Sequence, residues 1–345
     1  NEDLADRDLR SWRERWMEDH GFSFSVNYAA LYQGATESLG DDEAASGIFQ
    51  LPVSWTLTGR ESGNTGTLVF NVESRDAFGS MVAPQDLGFD VGAASIPGTG
   101  FNDTGLFVSN LYWSQSFQQG RQKLAIGRVA LTDFLDAYGM FNPQTAFSNL
   151  AFLLSPTIAS PAEGLGLAYG AMLADEWYVV GSLGDANAVS TRSGFDSFDA
   201  GELFKSVEIG WTKSADRIYF DNAHVTLWHV DERPEAGVSR GSGGAFSFAL
   251  FLEDRFMPFV RVGVSDGGGG ALQEASVAAG LGWYRPDRDL LGFGVAWGQP
   301  SEDGFGEGVP DQWTGELFYR WQLHSIFALT ADLQYIVDPA LAPDL

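Results

Sequence analysis

The sequence predicts an all-β fold, a transmembrane antiparallel β-barrel of about 16 strands with a short N-terminal helix. In residues 311–338, two successive strands alternate apolar and polar side chains, the period of two that is typical of β-structure. The apolar face carries aromatic residues towards its ends, among them Trp313, Trp321 and Tyr335, and the polar face carries few charges. The 345 residues include 42 Gly, 26 Phe and no Cys, a composition that favours strands over helices.

These two strands leave two all-β architectures open. In a soluble β-sandwich the apolar face packs inward, whereas in a membrane barrel it meets lipid and the polar face borders an aqueous lumen. Among β-sheets, only a closed barrel can span a bilayer, because an open sheet edge would leave backbone groups unpaired in hydrocarbon. No stretch of about 18 apolar residues is present, so no membrane helix is predicted.

Composition also narrows the classes of function. The formal net charge of −26 argues against a nucleic-acid partner, since no basic patch is available to displace counterions. The absence of Cys excludes thiolate metal sites and thiol nucleophiles. The chain begins with Asn1, Glu2 and Asp3 instead of a basic segment, so we expect it to be a mature chain without a signal peptide.

Several acidic residues cluster in predicted loops. Carboxylates of this kind either bind Ca²⁺ or form a solvated surface, and we favour the solvated surface. No other cofactor is predicted. The residues are Asp41, Asp42, Glu43, Asp196, Asp199, Glu302, Asp303 and Glu307.

The predicted helix covers residues 1–20, where Leu9, Trp12 and Trp16 share one face. We expect it either to cap one mouth of the barrel or to remain a loose tail. From residue 21 to 345 the pattern predicts the barrel itself. Besides the two strands within 311–338, strands are predicted at 21–36, 46–60, 65–74, 106–117, 121–130, 163–174, 176–186, 203–213, 222–231, 244–253, 256–265, 273–284 and 290–298.

Two long segments interrupt this rhythm. Residues 76–105 are rich in glycine and have no period, and residues 131–162 contain Pro143, Pro156 and Pro161. Long loops of a barrel lie at its outer mouth, and we expect these two to fold into the pore. The predicted strands number about fifteen, whereas bacterial barrels have an even number. We therefore expect a closing strand beyond Leu345.

Several phrases resemble the carbohydrate-selective outer-membrane porins of the OprB family. The first runs from Leu124 to Ala188 and includes LAIGRVALTDFLDAYGMFNPQTAF; the second is VTLWHVDER, at 225–233. The third and fourth are GALQEASVAAGLGWYRPDRDLLGFGVAWGQPS at 270–301 and ELFYRWQLHSIFALTADLQYIVDP at 316–339. The first hundred residues resemble the family mainly in layout.

The resemblance implies a sixteen-stranded barrel with a narrow, water-filled pore that passes monosaccharides and other small solutes. The sequence departs from the family pattern at two points. Family chains continue past the position of Asp338 and Pro339 into a last strand that ends in an aromatic residue, and this sequence lacks one. The chain is also shorter than many relatives, so its loops and its selectivity can differ from theirs.

A pore for neutral solutes needs planar hydrogen-bonding groups for hydroxyls and aromatic faces for CH patches. Alternation predicts a mixed-sign set of lumen residues, of which we favour Arg261, Glu316 and Arg320 as solute contacts. The alternative for each member is a salt bridge between wall residues. The predicted set is Arg60, Asn71, Glu73, Glu208, Arg261, Glu274, Glu316, Arg320, Asp332 and Gln334.

Two further groups are candidates. Arg128, Asp133 and Asp136 lie where a strand enters the 131–162 loop, so they are expected to anchor that loop or to line the pore. In the second group, Trp228, His229 and Asp231 share the VTLWHVDER phrase. Under the resemblance Trp228 is an inward stacking platform for a sugar; the alternative is an interface aromatic.

The sequence does not favour an enzyme. His224 and His229 share a strand but lie on opposite faces, so one metal ion cannot easily take both. No serine shares the face of His224, and no Gly-x-Ser-x-Gly elbow or Walker loop is present.

The sequence therefore predicts a passive diffusion channel for small neutral solutes, mono- or oligosaccharides, in the bacterial outer membrane. Its predicted partners are membrane lipid, lipopolysaccharide and small sugars, and it acts as a monomer or a homotrimer. Two alternatives stay open: a general, weakly cation-selective porin, and a plugged structural or adhesive barrel without flux.

Overall fold

The computed structural model describes residues 4–198 and 200–342, with side chains from Trp12 onward except that of Asp196. One sheet contains sixteen strands: β1 Phe22–Phe24, β2 Asn27–Gly34, β3 Glu43–Thr58, β4 Gly66–Ala77, β5 Gly105–Phe117, β6 Gln122–Val129, β7 Gly164–Met172, β8 Trp177–Asp185, β9 Leu203–Thr212, β10 Asn222–Val230, β11 Gly241–Ala249, β12 Phe256–Ser265, β13 Gln273–Tyr284, β14 Leu290–Pro300, β15 Gln312–His324 and β16 Phe327–Val337. The helices are α1 Leu4–His20, α2 Leu87–Asp90, α3 Leu150–Leu153, α4 Phe195–Phe198 and α5 Glu302–Phe305.

The strands follow one another around the sheet in antiparallel pairs. From β3 to β16 each strand pairs with the next, and β1 and β2 both pair with β3. The predicted strand 21–36 is thus two strands separated by Ser25 and Val26, which brings the count to sixteen. The all-β prediction is confirmed. The predicted closing strand after Leu345 lies outside the described residues.

Connections differ in length between the two ends of the sheet. One end has short turns, such as 118–121 and 173–176, and the other has long loops, such as 78–104 and 130–163. Outer-membrane barrels have short turns on the periplasmic side and long loops outside the cell. Among the described helices, none is long and apolar enough to cross a membrane.

The outer face of the sheet is apolar, as the alternation predicts. On β15 the large outward side chains Trp313 and Leu317 are exposed, whereas the inward Gln312, Glu316 and Phe318 are buried. Apolar side chains stay exposed on this face because lipid takes the place of a protein core there.

Helix α1 packs beside β1 and not across a mouth. The Trp16 ring lies 6.0 Å from Phe22 and the Trp12 ring 6.2 Å from Phe24. Phe22 in turn lies opposite Trp55, which points outward from β3. The expectation that α1 caps a mouth is therefore wrong, because its tryptophans pack on outward-facing rings of β1.

A long loop fills one side of the lumen. Residues 130–163, here called the constriction loop, contribute Tyr138, Met140, Phe147 and Phe152 to a buried cluster that also contains Phe318 of the wall. A second cluster joins other apolar side chains of the same loop to the walls of β9–β11. As predicted, this loop folds into the barrel and does not project from it.

Inward-facing glycines make room for the constriction loop. A Cβ atom on Gly294 would lie 2.6 Å from the Phe152 ring, and one on Gly282 would lie 2.6 Å from the Met140 sulfur. Real Cβ atoms do not approach other atoms this closely, so a larger residue at either position would displace the loop side chain that packs there. The wall of β13 and β14 at Gly282 and Gly294 is therefore shaped as a groove for the loop, here called the glycine groove.

The other long loop, 78–104, also folds inward and packs on the constriction loop. Thr99 N donates to Ser148 O at 2.9 Å, and Leu150 N donates to Ile96 O at 2.9 Å. Gln312 of β15 accepts a hydrogen bond from Ala94 N at 2.8 Å. Both loops are thus part of the folded interior. The division of the chain into an N-terminal helix and a single barrel domain stays a prediction.

Candidate functional site in the lumen

A buried polar cluster ties the first arm of the constriction loop to the barrel wall. Asp136 N donates to Glu208 at 2.7 Å, and the Asp136 carboxylate pairs with Arg261 and, at 3.1 Å, with His224. Burial alone would raise the pKa of Asp136, but the Arg261 charge and the His224 hydrogen bond hold that pKa below its ordinary value. A charge pair enclosed in this way resists separation, so the loop arm is held firmly.

Glu316 holds the second arm of the loop. Its carboxylate accepts hydrogen bonds from Ser148 N at 2.6 Å and Asn149 N at 3.0 Å. The neighbouring Gln334 accepts from Asn149 Nδ2 at 2.9 Å and donates to Pro97 O at 2.7 Å. These contacts join both long loops to β15 and β16.

Four of the predicted pore residues are therefore inaccessible to solute. Asp136, Arg261 and Glu316 do lie on the lumen side, but they are at most 3% exposed because the constriction loop covers them. Trp228 also faces inward, where it stacks on Phe204 at 6.3 Å between ring centroids within a buried cluster. For Arg261, Glu316 and Trp228 the prediction as solute contacts is wrong, because the loop occupies the space that solute would need. Asp136 does not line the pore but anchors the loop, the other role predicted for it.

A second polar group lies on the lumen face of β4 and beside the start of β7, where the side chains of Arg75 and Glu163 stay 17% and 16% exposed. There Arg75 Nη2 donates to Glu73 at 2.7 Å and lies 3.7 Å from Glu163, and its guanidinium covers the Phe107 ring at 5.1 Å. Asn71 Nδ2 donates to the same Glu73 at 2.8 Å. Planar groups of both signs thus lie side by side, as hydroxyl recognition requires.

Asp133, at the start of the constriction loop, lies close to these groups. Its carboxylate accepts a hydrogen bond from Asn110 at 3.3 Å. Enclosure in the barrel raises the pKa of Asp133 to about 6, against the opposing effect of this hydrogen bond, and the charges of Glu163 and Glu73 raise it further. We call Asn71, Glu73, Arg75, Glu163 and Asp133 the lumen patch.

The constriction loop also reaches the opposite wall. Gln144 Nε2 of the loop donates to Gln50 of β3 at 3.2 Å. This amide contact shows that the constriction loop, which connects β6 and β7, extends as far as β3.

Two predicted lumen residues point away from the lumen. His229 and Asp231 lie on the opposite face from the inward Trp228, and they form a cluster with Lys205 on the outer wall. The Nζ atom of Lys205 lies 2.7 Å from Asp231 Oδ1, and His229 Nε2 lies 3.3 Å from the same oxygen. Their prediction as pore-lining is wrong, because residues one and three positions after an inward residue face outward on a regular strand.

Two further predicted residues hold secondary structure in place and do not line the pore. Arg60 lies in the β3–β4 turn, and its guanidinium donates to the last carbonyl oxygens of α1, those of Glu18 and Asp19, at 3.1 Å each. Glu274 lies at the long-loop end, where it accepts from Glu302 N at 3.0 Å. For both residues the pore-lining prediction is wrong.

Arg128 is an anchor, but for a different loop from the one expected. Its guanidinium donates to Val108 O at 2.6 Å and to three carbonyl oxygens of the β8–β9 loop, those of Val189, Ser190 and Arg192. The side chain is buried beneath that loop. Arg128 therefore does not line the pore.

The remaining predictions are untested by this geometry. Arg320 and Asp332 lie on the lumen face of β15 and β16, where Arg320 donates to Gln322 at 2.7 Å. Glu208 faces the lumen beside the constriction loop. Contact of these side chains with solute stays a prediction, as it does for Asn71, Glu73, Asp133 and Gln334.

Sequence reasoning missed two members of the lumen patch. Arg75 shares the face of Asn71 and Glu73 by alternation, but the predicted strand ended at residue 74, one position too early. Glu163 was the first residue of the predicted strand 163–174 but was not among the predicted lumen residues; in the structure it directly precedes β7. An extension of β4 by the same alternation would have found Arg75.

The prediction that the loop carboxylates form a solvated surface and do not bind Ca²⁺ stays a prediction. Within residues 4–198 and 200–342, no group of three or more His, Asp or Glu side chains has a geometry that holds a metal ion. Asp199 and the Asp196 side chain, two of the proposed loop ligands, lie outside the described residues and side chains.

Comparisons with known proteins agree with this architecture. The high-pH structure of Pseudomonas putida OprB matches with a TM-score of 0.76 at 14% identity, over 98% of this chain and 94% of that one. The low-pH structure of the same protein gives a TM-score of 0.53 at 11% identity, over 95% and 92%. A triple mutant of the Rhodopseudomonas blastica porin gives 0.53 at 9% identity, over 91% and 94%. At sequence identities this low, the structural similarity establishes a shared fold and nothing further.

At the level of sequence, a comparison with curated proteins finds no match. The family model described as carbohydrate-selective porin, OprB family, matches residues 2–246. The match includes the first hundred residues, where the resemblance rested mainly on layout, and it ends before the phrases at 270–301 and 316–339. A match to this porin family indicates that the protein is a channel and not an enzyme. The chain belongs to the OprB family of carbohydrate-selective porins and is an outer-membrane β-barrel.

Proposed function

We propose that this chain is a passive diffusion channel for small neutral solutes, mono- and oligosaccharides. The lumen patch carries the proposal: carboxylates, a guanidinium and an amide lie together on the inner face of β4 and beside β7, in a lumen that the constriction loop narrows. Such groups replace part of the hydration of a sugar without trapping it, because each also has a protein partner. Charges of both signs favour a neutral solute over an ion of either sign.

The test is liposome swelling with the refolded barrel, with glucose and maltose as solutes. We expect uptake of both, with a lower rate for Arg75→Gln, which removes the charge shared by Glu73 and Glu163. Arg121→Gln is the matched control, because Arg121 forms an exposed ion pair with Asp175 at 3.1 Å in a short turn. Equal sugar rates for the two variants would contradict the role of the patch.

One observation favours a second candidate, a weakly cation-selective general pore. Three carboxylates of the lumen patch face one guanidinium, that of Arg75. In this case the reversal potential in a salt gradient would show a marked preference for cations, and sugars would not alter the single-channel current. A barrel that passes neither ions nor sugars would instead support the plugged structural alternative.

A further inference from the structure

A cavity of about 310 Å³ lies at the short-turn side of the constriction loop. Asp133 and Phe134 of the loop form its roof, Tyr112 and Lys123 belong to its wall, and Tyr219 of the β9–β10 turn forms its floor. Its volume is at the lower end of the range of small-molecule sites, roughly 300–1,000 Å³. Since Asp133 also belongs to the lumen patch, the cavity follows the patch along the same passage.

Some of the polar groups that line this cavity are free to bind a ligand. The Tyr178 hydroxyl donates to Glu208 at 3.0 Å, so it is already engaged. Among the described residues, by contrast, the hydroxyls of Tyr112 and Tyr219 and the ammonium group of Lys123 have no hydrogen-bond partner. Tyrosine combines an apolar ring face with a polar tip, which suits a ligand that has both CH patches and hydroxyls.

The floor of the cavity is held in place. Within the β9–β10 turn, residues 213–221, the buried Asp221 pairs with Lys213 at 2.8 Å and with Arg217, and it accepts from Phe251 N at 3.0 Å. Opposing burial, these contacts keep the pKa of Asp221 below its ordinary value, so the carboxylate stays charged and the clamp intact.

The same turn is joined to the roof. Asn222 Nδ2 donates to Ile218 O at 2.7 Å and to Ala137 O of the constriction loop at 3.3 Å. Roof and floor are thus linked by one side chain, and the cavity is preformed. A preformed site binds without the cost of ordering its walls.

From this arrangement we infer a second saccharide site, on the periplasmic side of the constriction. A pyranose ring lies against the Tyr219 and Tyr112 rings, and its hydroxyls contact Asp133 and Lys123. The inference rests on the proposed function, because it assigns a second position to the same diffusing sugar. A sugar therefore passes two successive positions, first the lumen patch and then this cavity.

The experiment measures binding and flux separately. Saturation-transfer NMR with glucose and maltose gives binding to the detergent-solubilised barrel, and liposome swelling gives flux. We expect Tyr219→Ala to weaken binding about fivefold or more, the loss of one aromatic contact. Tyr219→Phe should retain most of the binding, because it keeps the ring. Tyr169→Ala, at an exposed tyrosine on the outer face of β7, is the matched control.

The outcomes separate the two proposals. Unchanged sugar binding by a correctly folded Tyr219→Ala barrel overturns the second site, even if flux is normal. Absence of sugar flux through the wild-type barrel overturns the proposed function. Should Tyr219→Ala fail to fold, Tyr112→Phe and Lys123→Met test the wall of the cavity instead. Loss of either polar group should weaken sugar binding. An unchanged sugar affinity in both variants contradicts the site.

Discussion

The glycine groove provides a direct test of how the constriction loop is held. In Gly294→Ala, the new Cβ atom would lie 2.6 Å from the Phe152 ring and 3.2 Å from the Phe147 ring, both fully buried. Strand β14 is hydrogen-bonded on both sides, so the wall cannot yield and the loop must move. Overpacking of this kind costs about 1–3 kcal/mol. A middle value of about 2 kcal/mol raises the population of released loop roughly thirtyfold.

Limited digestion with chymotrypsin measures this population, because the loop contains Tyr138, Phe141 and Phe147 as cleavage sites that are shielded while it is packed. Cleavage tracks the open population when opening is fast. Gly315→Ala is the control, since a Cβ atom there meets nothing nearer than 3.9 Å on the neighbouring strand. We expect cleavage of Gly294→Ala to be at least about tenfold faster than that of the control.

The result is checked with a double variant and a second readout. In a Phe152→Ala background, Gly294→Ala should cost less, because the ring that it strikes is gone. In planar bilayers, release of the loop should appear as a noisier and larger single-channel current. Equal cleavage of Gly294→Ala and Gly315→Ala would refute the argument, as would additive effects in the double variant.

Three further predictions concern charged side chains. Because the pKa of Asp133 is raised to about 6, its carboxylate becomes charged as the pH rises through that value. The preference of the channel for cations, measured as the reversal potential in a salt gradient, should therefore increase between pH 5 and 7.5. Asp133→Asn should abolish that increase. Arg128→Met leaves four carbonyl oxygens without their donor, so cleavage within residues 186–202 should increase while sugar flux persists, and unchanged protection would contradict the anchor role. Arg60→Ala should accelerate amide exchange at the end of α1 with conductance unchanged, and a changed conductance would place Arg60 in the passage after all.

The sequence alone determined which side chains lie on each face of the sheet. Side-chain alternation is a local property of a strand, so residues such as Trp313 and Glu316 were assigned to opposite faces without a structure, and the structure confirms those faces. The same reasoning failed where a strand boundary mattered, as at Arg75, because strand ends depend on pairing with a neighbour.

Tertiary structure decided which inward residues can meet a solute. Arg261 and Arg75 read alike in sequence, as single arginines on the inner face of a strand. Only the path of the constriction loop distinguishes them: it covers Arg261 through Asp136 and leaves the Arg75 side chain 17% exposed. That path depends on contacts between residues more than a hundred positions apart, such as Ser148 with Glu316, and no local pattern encodes them. Alternation therefore predicts the wall of this channel, whereas long-range packing of its loops determines the passage.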